Sequence, residues 1–453
     1  MQETELKDPY FLDPNDVEDA PTSLRAIFRR IGPGLILASS IVGSGELIAT
    51  TVLGAENGYR LLWLIIVSCV IKIVVQNEMG RHAIGTGETT LEAFDSVPGP
   101  RWKVSWVVWC WVFMITMTLM QVGGMLGGIS EVLNRMLPSV SVTTWVWIIN
   151  VATVFLLIVG RYALVERVAM GLVVAFTILT VSCTFLLFQR PEYFSMAQVL
   201  DGLKIQMPAG GWMTAVATFG ITGVGATELF MYPYWCIEKG YARFTGSHDG
   251  SNAWVTRAFG WIRVMGADVL ASMVVYTFAT IAFYLLGAGI LNGMGIVPKG
   301  SEMVHMLSNM YTETLGHWSL IPFLIGAFAV LYSTVFASTA AHCRIAADLV
   351  GMLGFYDRAN YRLRLKATRI CVVMLLFIPS VYFMWLESPV LMVMIGGLAQ
   401  AVMLPVIACC TVYLNSKRTP RSILPAGWIK LLLWFAALLM AAVMVVSGIH
   451  RLL

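Results

Sequence analysis

The sequence predicts an all-α membrane protein with eleven transmembrane helices, arranged as two inverted repeats of five helices plus one extra helix. The 453-residue chain is 58% hydrophobic and only 12% charged, whereas a soluble domain carries about 25% charged residues. Eleven windows are long and apolar enough to span a bilayer. A short motif, Gly-x-x-Glu-Leu, interrupts the first of these windows and occurs again in the sixth. Composition therefore excludes a soluble globular fold, and the repeated motif indicates internal symmetry.

Each window contains the stretch of about 20 mostly apolar residues that a spanning helix needs. The windows cover residues 31–53, 61–78, 104–128, 143–160, 169–188, 212–235, 264–291, 318–342, 369–386, 389–415 and 426–448. Repeat one is expected over about 31–188, repeat two over about 212–415, and the extra helix over about 426–448.

The distribution of basic residues predicts the orientation. Of the 30 Lys and Arg residues, 23 fall on the side that holds the N-terminus and 6 on the opposite side, while Lys72 lies inside the second window. Cytoplasmic loops carry such an excess of positive charge. We therefore expect a protein of the plasma (inner) membrane with a cytoplasmic N-terminus and an outside C-terminus. Residues 1–25 are polar and lack a signal-peptide pattern, so they predict a cytosolic tail before a single membrane domain, 26–453.

The second motif copy lies five spans after the first, and an odd repeat length inverts the second copy relative to the first. Glycine-interrupted hydrophobic segments at corresponding positions of two halves are typical of transporter binding sites. Spans 1 and 6 are therefore expected to be broken helices that meet at the membrane midplane.

Each motif copy places one carboxylate at that depth. Glu46 is the only charged residue in the first window, and Glu228 is the only one in the sixth. Such a charge is costly and indicates function by default. Together with the carbonyls that a helix break releases at Gly43 and Gly225, the pair predicts an all-oxygen site for a hard divalent cation. The alternative is that the glutamates only form hydrogen bonds between helices and the glycines only allow close packing.

Several stretches resemble the Nramp family of divalent-metal transporters over spans 1–10. They are Ile31-Gly32-Pro33-Gly34, the run from Asn57 to Trp63, Gly85-Thr86-Gly87-Glu88, Gly225-Ala226-Thr227, Arg369 and Leu404-Pro405. The resemblance implies a LeuT-type fold of the APC superfamily. It also implies that the backbone carbonyl of Ala226 takes part in the metal site.

The site motifs depart from the family pattern. The family's Asp-Pro-Gly-Asn falls on residues 43–46, so its aspartate is Gly43 and its asparagine is Glu46. The family's Val-Met-Pro-His falls on residues 228–231, so its methionine is Leu229 and its histidine is Met231. Two acids that the family uses in helix three are replaced by Thr118 and Gln121. These replacements imply a harder cation and weak or absent proton coupling.

Further polar or small residues are weaker candidates for the substrate pathway, with hydrogen bonding between helices as the alternative role. They are Ser44, Gly45, Thr227, Thr118, Gln121 and Gln400.

The sequence thus predicts transport of a divalent metal cation of the Mn²⁺ or Mg²⁺ class by alternating access. Two alternatives stay open: transport of a cationic or proton-coupled organic solute on the same fold, and a binding or sensor protein that transports nothing. No enzyme motif is present, so we expect no enzyme and no permanently bound cofactor. The expected partners are the cation and the lipid bilayer, without nucleic acid. The sequence is compatible with a monomer but does not fix the oligomeric state.

Overall fold

The computed structural model describes residues 8–32, 34, 42–159, 163–207 and 211–452. Within these ranges, ten helices are long and apolar enough to cross a membrane. The one hairpin among the described residues pairs β1 (Arg101–Trp102) with β2 (Val104–Ser105). The predicted all-α membrane fold is confirmed, although most of the first half of predicted span 1 lies outside the described residues.

The helices of the first half follow one another along the chain. They are α1 (Leu24–Arg30), a π-helical turn (Gly45–Thr50) that continues into α2 (Thr51–Asn57), α3 (Leu62–Thr86), α4 (Thr90–Asp95), α5 (Trp106–Met136), α6 (Val142–Val159), α7 (Ala163–Leu187) and α8 (Met196–Asp201).

The second half of the chain also consists of helices that follow one another. Its helices are α9 (Trp212–Ile221), α10 (Ala226–Glu238), α11 (Tyr241–Thr245), α12 (Asn252–Leu286), α13 (Met303–Leu315), α14 (Leu320–Met352), α15 (Tyr361–Leu386), α16 (Pro389–Lys417) and α17 (Gly427–Leu452).

The predicted break in span 6 is confirmed between α9 and α10. Four residues separate Ile221, the last residue of α9, from Ala226, the first of α10. Gly223 in this break has a φ of 66°, a left-handed conformation that glycine adopts without steric cost. In span 1 the corresponding irregularity is the turn before Gly45 and the π-helical turn that follows it.

Close backbone packing holds the broken helix against its neighbours. A Cβ atom on Gly220 would lie 2.2 Å from the carbonyl oxygen of Gly397, so α9 and α16 touch backbone to backbone. Small residues at such contacts let membrane helices approach closely. The broken helix α9 is thereby fixed against α16, which also packs against α5.

Helix α3 extends beyond the predicted window 61–78 and ends at Thr86. Gly87 then takes a φ of 74° and its N–H donates to the Ala83 carbonyl, which ends the helix with a left-handed residue. The extension buries Gln76 and Glu78, which are 0% and 1% exposed. The family-like stretch Gly85-Thr86-Gly87-Glu88 therefore spans the end of this helix.

The described part of the N-terminal tail packs against the helical bundle. The Tyr10 hydroxyl donates to the Glu238 carboxylate at 2.6 Å. The Trp261 indole N–H donates to the Glu18 carbonyl at 2.9 Å, and Arg243 lies 3.2 Å from the Asp16 carboxylate. These contacts tie residues 10–18 to α10, α11 and α12.

Candidate functional site

The two motif copies come together because the broken segments of spans 1 and 6 contact each other. The Gly223 N–H donates to the Glu46 carboxylate at 3.4 Å. The hydroxyl oxygens of Thr50 and Thr222 lie 3.1 Å apart. A Cβ atom on Gly45 would lie 3.1 Å from the Ile221 carbonyl oxygen. The breaks of the two repeats therefore form one continuous polar region inside the bundle.

Glu46 is completely buried in this region, with 0% exposure. Its carboxylate accepts hydrogen bonds from the Gly43 N–H at 3.3 Å, the Gly223 N–H at 3.4 Å and the Thr280 hydroxyl of α12 at 3.2 Å. A buried carboxylate is costly unless such donors face it. Three donors from three segments thus fix its position but leave lone pairs for a cation.

The π-helical turn that carries Glu46 is supported by two threonines. The Thr50 hydroxyl donates to the Gly45 carbonyl at 2.8 Å, and the Thr51 hydroxyl donates to the Glu46 carbonyl at 3.2 Å. A π-helical turn does not make the usual α-helical backbone hydrogen bonds, and such turns are frequent at functional sites. Here side-chain hydroxyls satisfy the carbonyls of that turn.

Glu228 lies in the first turn of α10 and is partly buried. The Thr227 hydroxyl lies 2.8 Å from one of its carboxylate oxygens. The N-terminus of a helix favours a negative charge because its N–H groups and dipole point toward it. A Cβ atom on Gly225 would lie 2.5 Å from this carboxylate, so the carboxylate sits directly against the glycine backbone.

A chain of hydrogen bonds joins both breaks through two glutamine side chains. The Gln400 side-chain oxygen accepts from the Thr227 N–H at 3.2 Å and lies 3.0 Å from its hydroxyl. The Gln400 amide donates to the Gln121 side-chain oxygen at 2.8 Å, and the Gln121 amide donates to the Ser44 hydroxyl at 3.0 Å. Spans 1, 3, 6 and 10 are thereby connected within one network.

The remaining weaker candidates have different surroundings. Thr118 lies on α5 but donates its hydroxyl to the Met114 carbonyl of its own helix, at 2.9 Å. Gly45 contacts the end of α9, as described above. Four of the six weaker candidates, Ser44, Gln121, Thr227 and Gln400, therefore meet in the hydrogen-bonded network.

The predicted backbone ligands begin the helices that follow the breaks. The Gly43 carbonyl accepts from the Leu47 N–H at 2.9 Å, and the Gly225 carbonyl accepts from the Leu229 N–H at 3.0 Å. Each carbonyl keeps a second lone pair. Ala226 is buried at the first position of α10. Over the described residues, no group of three or more His, Cys, Asp or Glu that could hold a metal ion is found, so a cation here would depend on two carboxylates and neutral oxygens.

Sequence reasoning did not assign a role to Lys72, which the structure places beside the break in span 6. Lys72 is 0% exposed, and its ammonium donates to the Thr222 carbonyl at 2.8 Å and to the Ser68 hydroxyl at 2.9 Å. The available signal was its position in the middle of an apolar window, since a charge within a span indicates function by default. Sequence reasoning also missed Thr280, whose hydroxyl donates to Glu46, because an uncharged threonine in an apolar window does not stand out as a charge does.

A family model described as "Natural resistance-associated macrophage protein-like" matches residues 34–450. The chain belongs to the Nramp family. An uncharacterised protein of Pasteurella multocida is 26% identical over 325 residues, which cover 68% of this chain and 67% of that protein. The divalent metal cation transporter MntH of Mycobacterium tuberculosis is 26% identical over 315 residues, covering 69% and 68% of the two chains.

Solved structures with the same fold include a mutant of the manganese transporter of Eremococcus coleocola, with a TM-score of 0.63 and 15% identity. That likeness covers 96% of this Nramp chain and 90% of the other. MhsT in complex with L-phenylalanine has a TM-score of 0.55 and 14% identity, and the likeness covers 95% and 99% of the two chains. At such identities the likeness establishes the fold alone. The expected LeuT-type fold and the Nramp resemblance are both confirmed, and this Nramp protein is an integral membrane protein.

Proposed function

We propose that this Nramp protein transports a divalent metal cation across the membrane by alternating access, with Glu46 and Glu228 as its carboxylate ligands. Carbonyl oxygens of Gly43, Gly225 and Ala226 complete the coordination. Membership of the Nramp family and the likeness to a divalent metal cation transporter support the class of substrate. The expectation that the protein is not an enzyme agrees with this family of transporters.

One observation carries the proposal: the broken segments of two inverted repeats contact each other, and each supplies one glutamate. The Gly223 N–H of span 6 reaches the Glu46 carboxylate of span 1, while Glu228 lies five residues further along the chain in the first turn of α10. Substrate sites of inverted-repeat transporters lie at the interface between the repeats. A cation held there contacts both repeats, so its binding and release follow their relative movement.

The ligand set favours a hard cation. Carboxylate, hydroxyl and carbonyl oxygens suit Mg²⁺ and Mn²⁺, whereas thioether and thiolate ligands select softer metals. The position of the family's methionine is occupied by Leu229, which is 0% exposed and offers no ligand. We therefore infer a substrate of the Mn²⁺ or Mg²⁺ class.

Proton coupling is inferred to be weak or absent. The positions of two family acids hold Thr118, bonded to its own helix, and Gln121, bonded to Ser44 and Gln400. Neither side chain exchanges a proton near neutral pH, whereas Asp, Glu and His chains form the proton relays of transporters. The proposed location is the plasma (inner) membrane, with the N-terminus in the cytoplasm and the C-terminus outside.

Uptake of Mn²⁺ and of Mg²⁺ into proteoliposomes that contain the full chain tests the proposal. Glu46→Gln and Glu228→Gln keep the side-chain volume and remove one charge each, so each is expected to lower uptake at limiting metal by tenfold or more. Glu131→Gln is the matched control, because Glu131 is also buried, at 6% exposure, but lies near the end of α5 away from both breaks. Unchanged metal uptake in both site variants would overturn the assignment.

The same vesicles separate the other functions. Uptake of a cationic organic solute without any divalent cation would favour an organic substrate. Metal binding without uptake would favour a sensor. Acidification of the vesicle lumen that follows metal entry would contradict weak proton coupling, whatever the metal is.

A further inference from the structure

Lys72 is a charged side chain inside the bundle that the proposed metal site does not use. It lies on α3 with 0% exposure, at a depth where an unpaired charge is costly. Among the described residues, no acidic side chain forms a hydrogen bond or an ion pair with it. Its ammonium instead donates to the carbonyls of Phe219 and Thr222 and to the Ser68 hydroxyl, at 2.8 Å for Thr222 and 2.9 Å for Ser68.

The oxygens around the ammonium form a built cation site. Phe219 lies in the last turn of α9, and Thr222 is the capping residue directly after its end. The last carbonyls of a helix lack partners within the helix and carry its negative dipole end. The Ser68 hydroxyl lies 3.2 Å from the Phe219 carbonyl and 3.1 Å from the Thr222 carbonyl, so all three oxygens converge on one point. The aromatic ring of Phe219 faces the same ammonium at 4.9 Å.

In transporters with broken helices, unwound carbonyls and the C-terminal ends of half-helices coordinate Na⁺ or H⁺. We propose that the Lys72 ammonium is a tethered monovalent cation that permanently occupies this site at the carbonyl end of α9. It takes the place that a mobile Na⁺ or a similar monovalent ion would fill. The break in span 6 is then held in shape without a co-transported ion.

The position of Lys72 also links this charge to the proposed substrate site. Thr222, which binds the ammonium, is adjacent to Gly223, which donates to Glu46. A fixed positive charge one residue from this contact offsets part of the charge of the two glutamates before any substrate binds. Because the tethered cation replaces Na⁺, the wild-type protein is expected to transport its substrate without Na⁺. This expectation is the only part of the inference that rests on the proposed function.

The test is the thermal unfolding of the purified full chain in NaCl, ethylammonium chloride and choline chloride at equal ionic strength. Lys72→Ala removes the ammonium and opens the space that the side chain filled. Its Tm is expected to be higher in Na⁺ or ethylammonium than in choline by about 2 °C or more, because a cation then binds only the folded state. Lys72→Met fills the space without a charge and is expected to show no such difference. Equal Tm values of folded Lys72→Ala in all three salts would overturn the proposal.

Two further measurements keep the test decisive. Ser68→Ala combined with Lys72→Ala removes one of the three oxygens, and the specific effect of Na⁺ is expected to shrink; an undiminished effect would place the bound ion elsewhere. The wild-type protein needs no variant to fold: its Tm is expected to be equal in Na⁺ and choline, and a specific rise in Na⁺ would contradict a site already filled by Lys72. None of these readouts involves a divalent metal or transport, so they stand or fall separately from the proposed function.

Discussion

Replacing Asp348 with asparagine is expected to destabilise the end of the bundle at which α4, α10, α14 and α15 meet. Asp348 is 0% exposed near the end of α14. Its carboxylate accepts from the Tyr234 hydroxyl at 2.6 Å and the Thr89 hydroxyl at 2.8 Å. Arg358 and Arg364 each donate to its second oxygen at 2.9 Å. These five residues form the Asp348 cluster.

The expected cost follows from the burial of each partner. The Arg364 side chain is only 9% exposed, and removing one member of such a buried ion pair costs about 3–5 kcal/mol. Arg358 is 33% exposed and also pairs with Glu92, so solvent screening reduces its share to about 0–1 kcal/mol. The lower bound of about 3 kcal/mol corresponds to roughly a hundredfold change in the equilibrium between the folded and the unfolded or locally opened protein.

Thermal unfolding and hydrogen exchange measure this effect. Asp348→Asn is expected to lower the Tm by about 3 °C or more and to speed amide exchange in α4 and in the last turns of α14. Asp357→Asn is the matched control, because Asp357 is exposed and its carboxylate only caps the Ala359 N–H at 3.0 Å. A Tm and an exchange pattern equal to those of the wild type would refute the reasoning, since the cluster would then contribute nothing to the packing of this end.

The remaining predictions concern four single positions. Gly220→Ala is expected to destabilise by about 1–3 kcal/mol because the new Cβ meets backbone. Gly266→Ala, at a helical position with nothing within 4 Å, is expected to stabilise slightly; chemical denaturation compares the two, and equal effects would contradict the packing argument. Gly43→Asp places a Cβ 2.1 Å from the Thr334 hydroxyl, so it is expected to lower both stability and metal uptake rather than restore a family-like site, and a gain in uptake would contradict this. For Glu88, burial raises the pKa, but the hydrogen bond and charge of neighbouring His82 and the charge of Arg418 outweigh it and hold the pKa below its usual value. Its ionised form therefore stabilises the fold above about pH 4.5, and the Tm difference between wild type and Glu88→Gln is expected to vanish as the pH falls below that value; a difference that grows on acidification would contradict it.

The sequence carried the information for the fold because spanning helices are fixed by local composition. Apolar length placed the spans, and the glycine-flanked motif placed both breaks, since helix interruption at Gly223 is a local property of the chain. The bounds were less accurate. Window 61–78 ends too early because apolar composition stops at the polar residues Gln76 and Glu78, whereas Glu78 is buried and its carboxylate lies 3.0 Å from the Arg81 side chain.

Contacts between distant segments could not be predicted in the same way. The partners of Lys72 are backbone carbonyls in a helix more than a hundred residues away, and a carbonyl has no sequence signature. The link between Gln121 and Gln400 likewise depends on how α5 and α16 face each other. The roles of Glu46 and Glu228 as metal ligands, and the domain boundary at residue 25, stay predictions.

The N-terminal segment has a practical consequence for handling the protein. The Tyr10 ring covers the Arg364 guanidinium at 3.7 Å from the ring centre, and its hydroxyl binds Glu238. A shortened version that starts near residue 20 would therefore uncover one arginine of the Asp348 cluster and leave a carboxylate without its phenol donor. Removing this polar stretch as dispensable would therefore remove part of the folded protein. A fusion partner or affinity tag is better added before the stretch, on a flexible spacer, than put in its place.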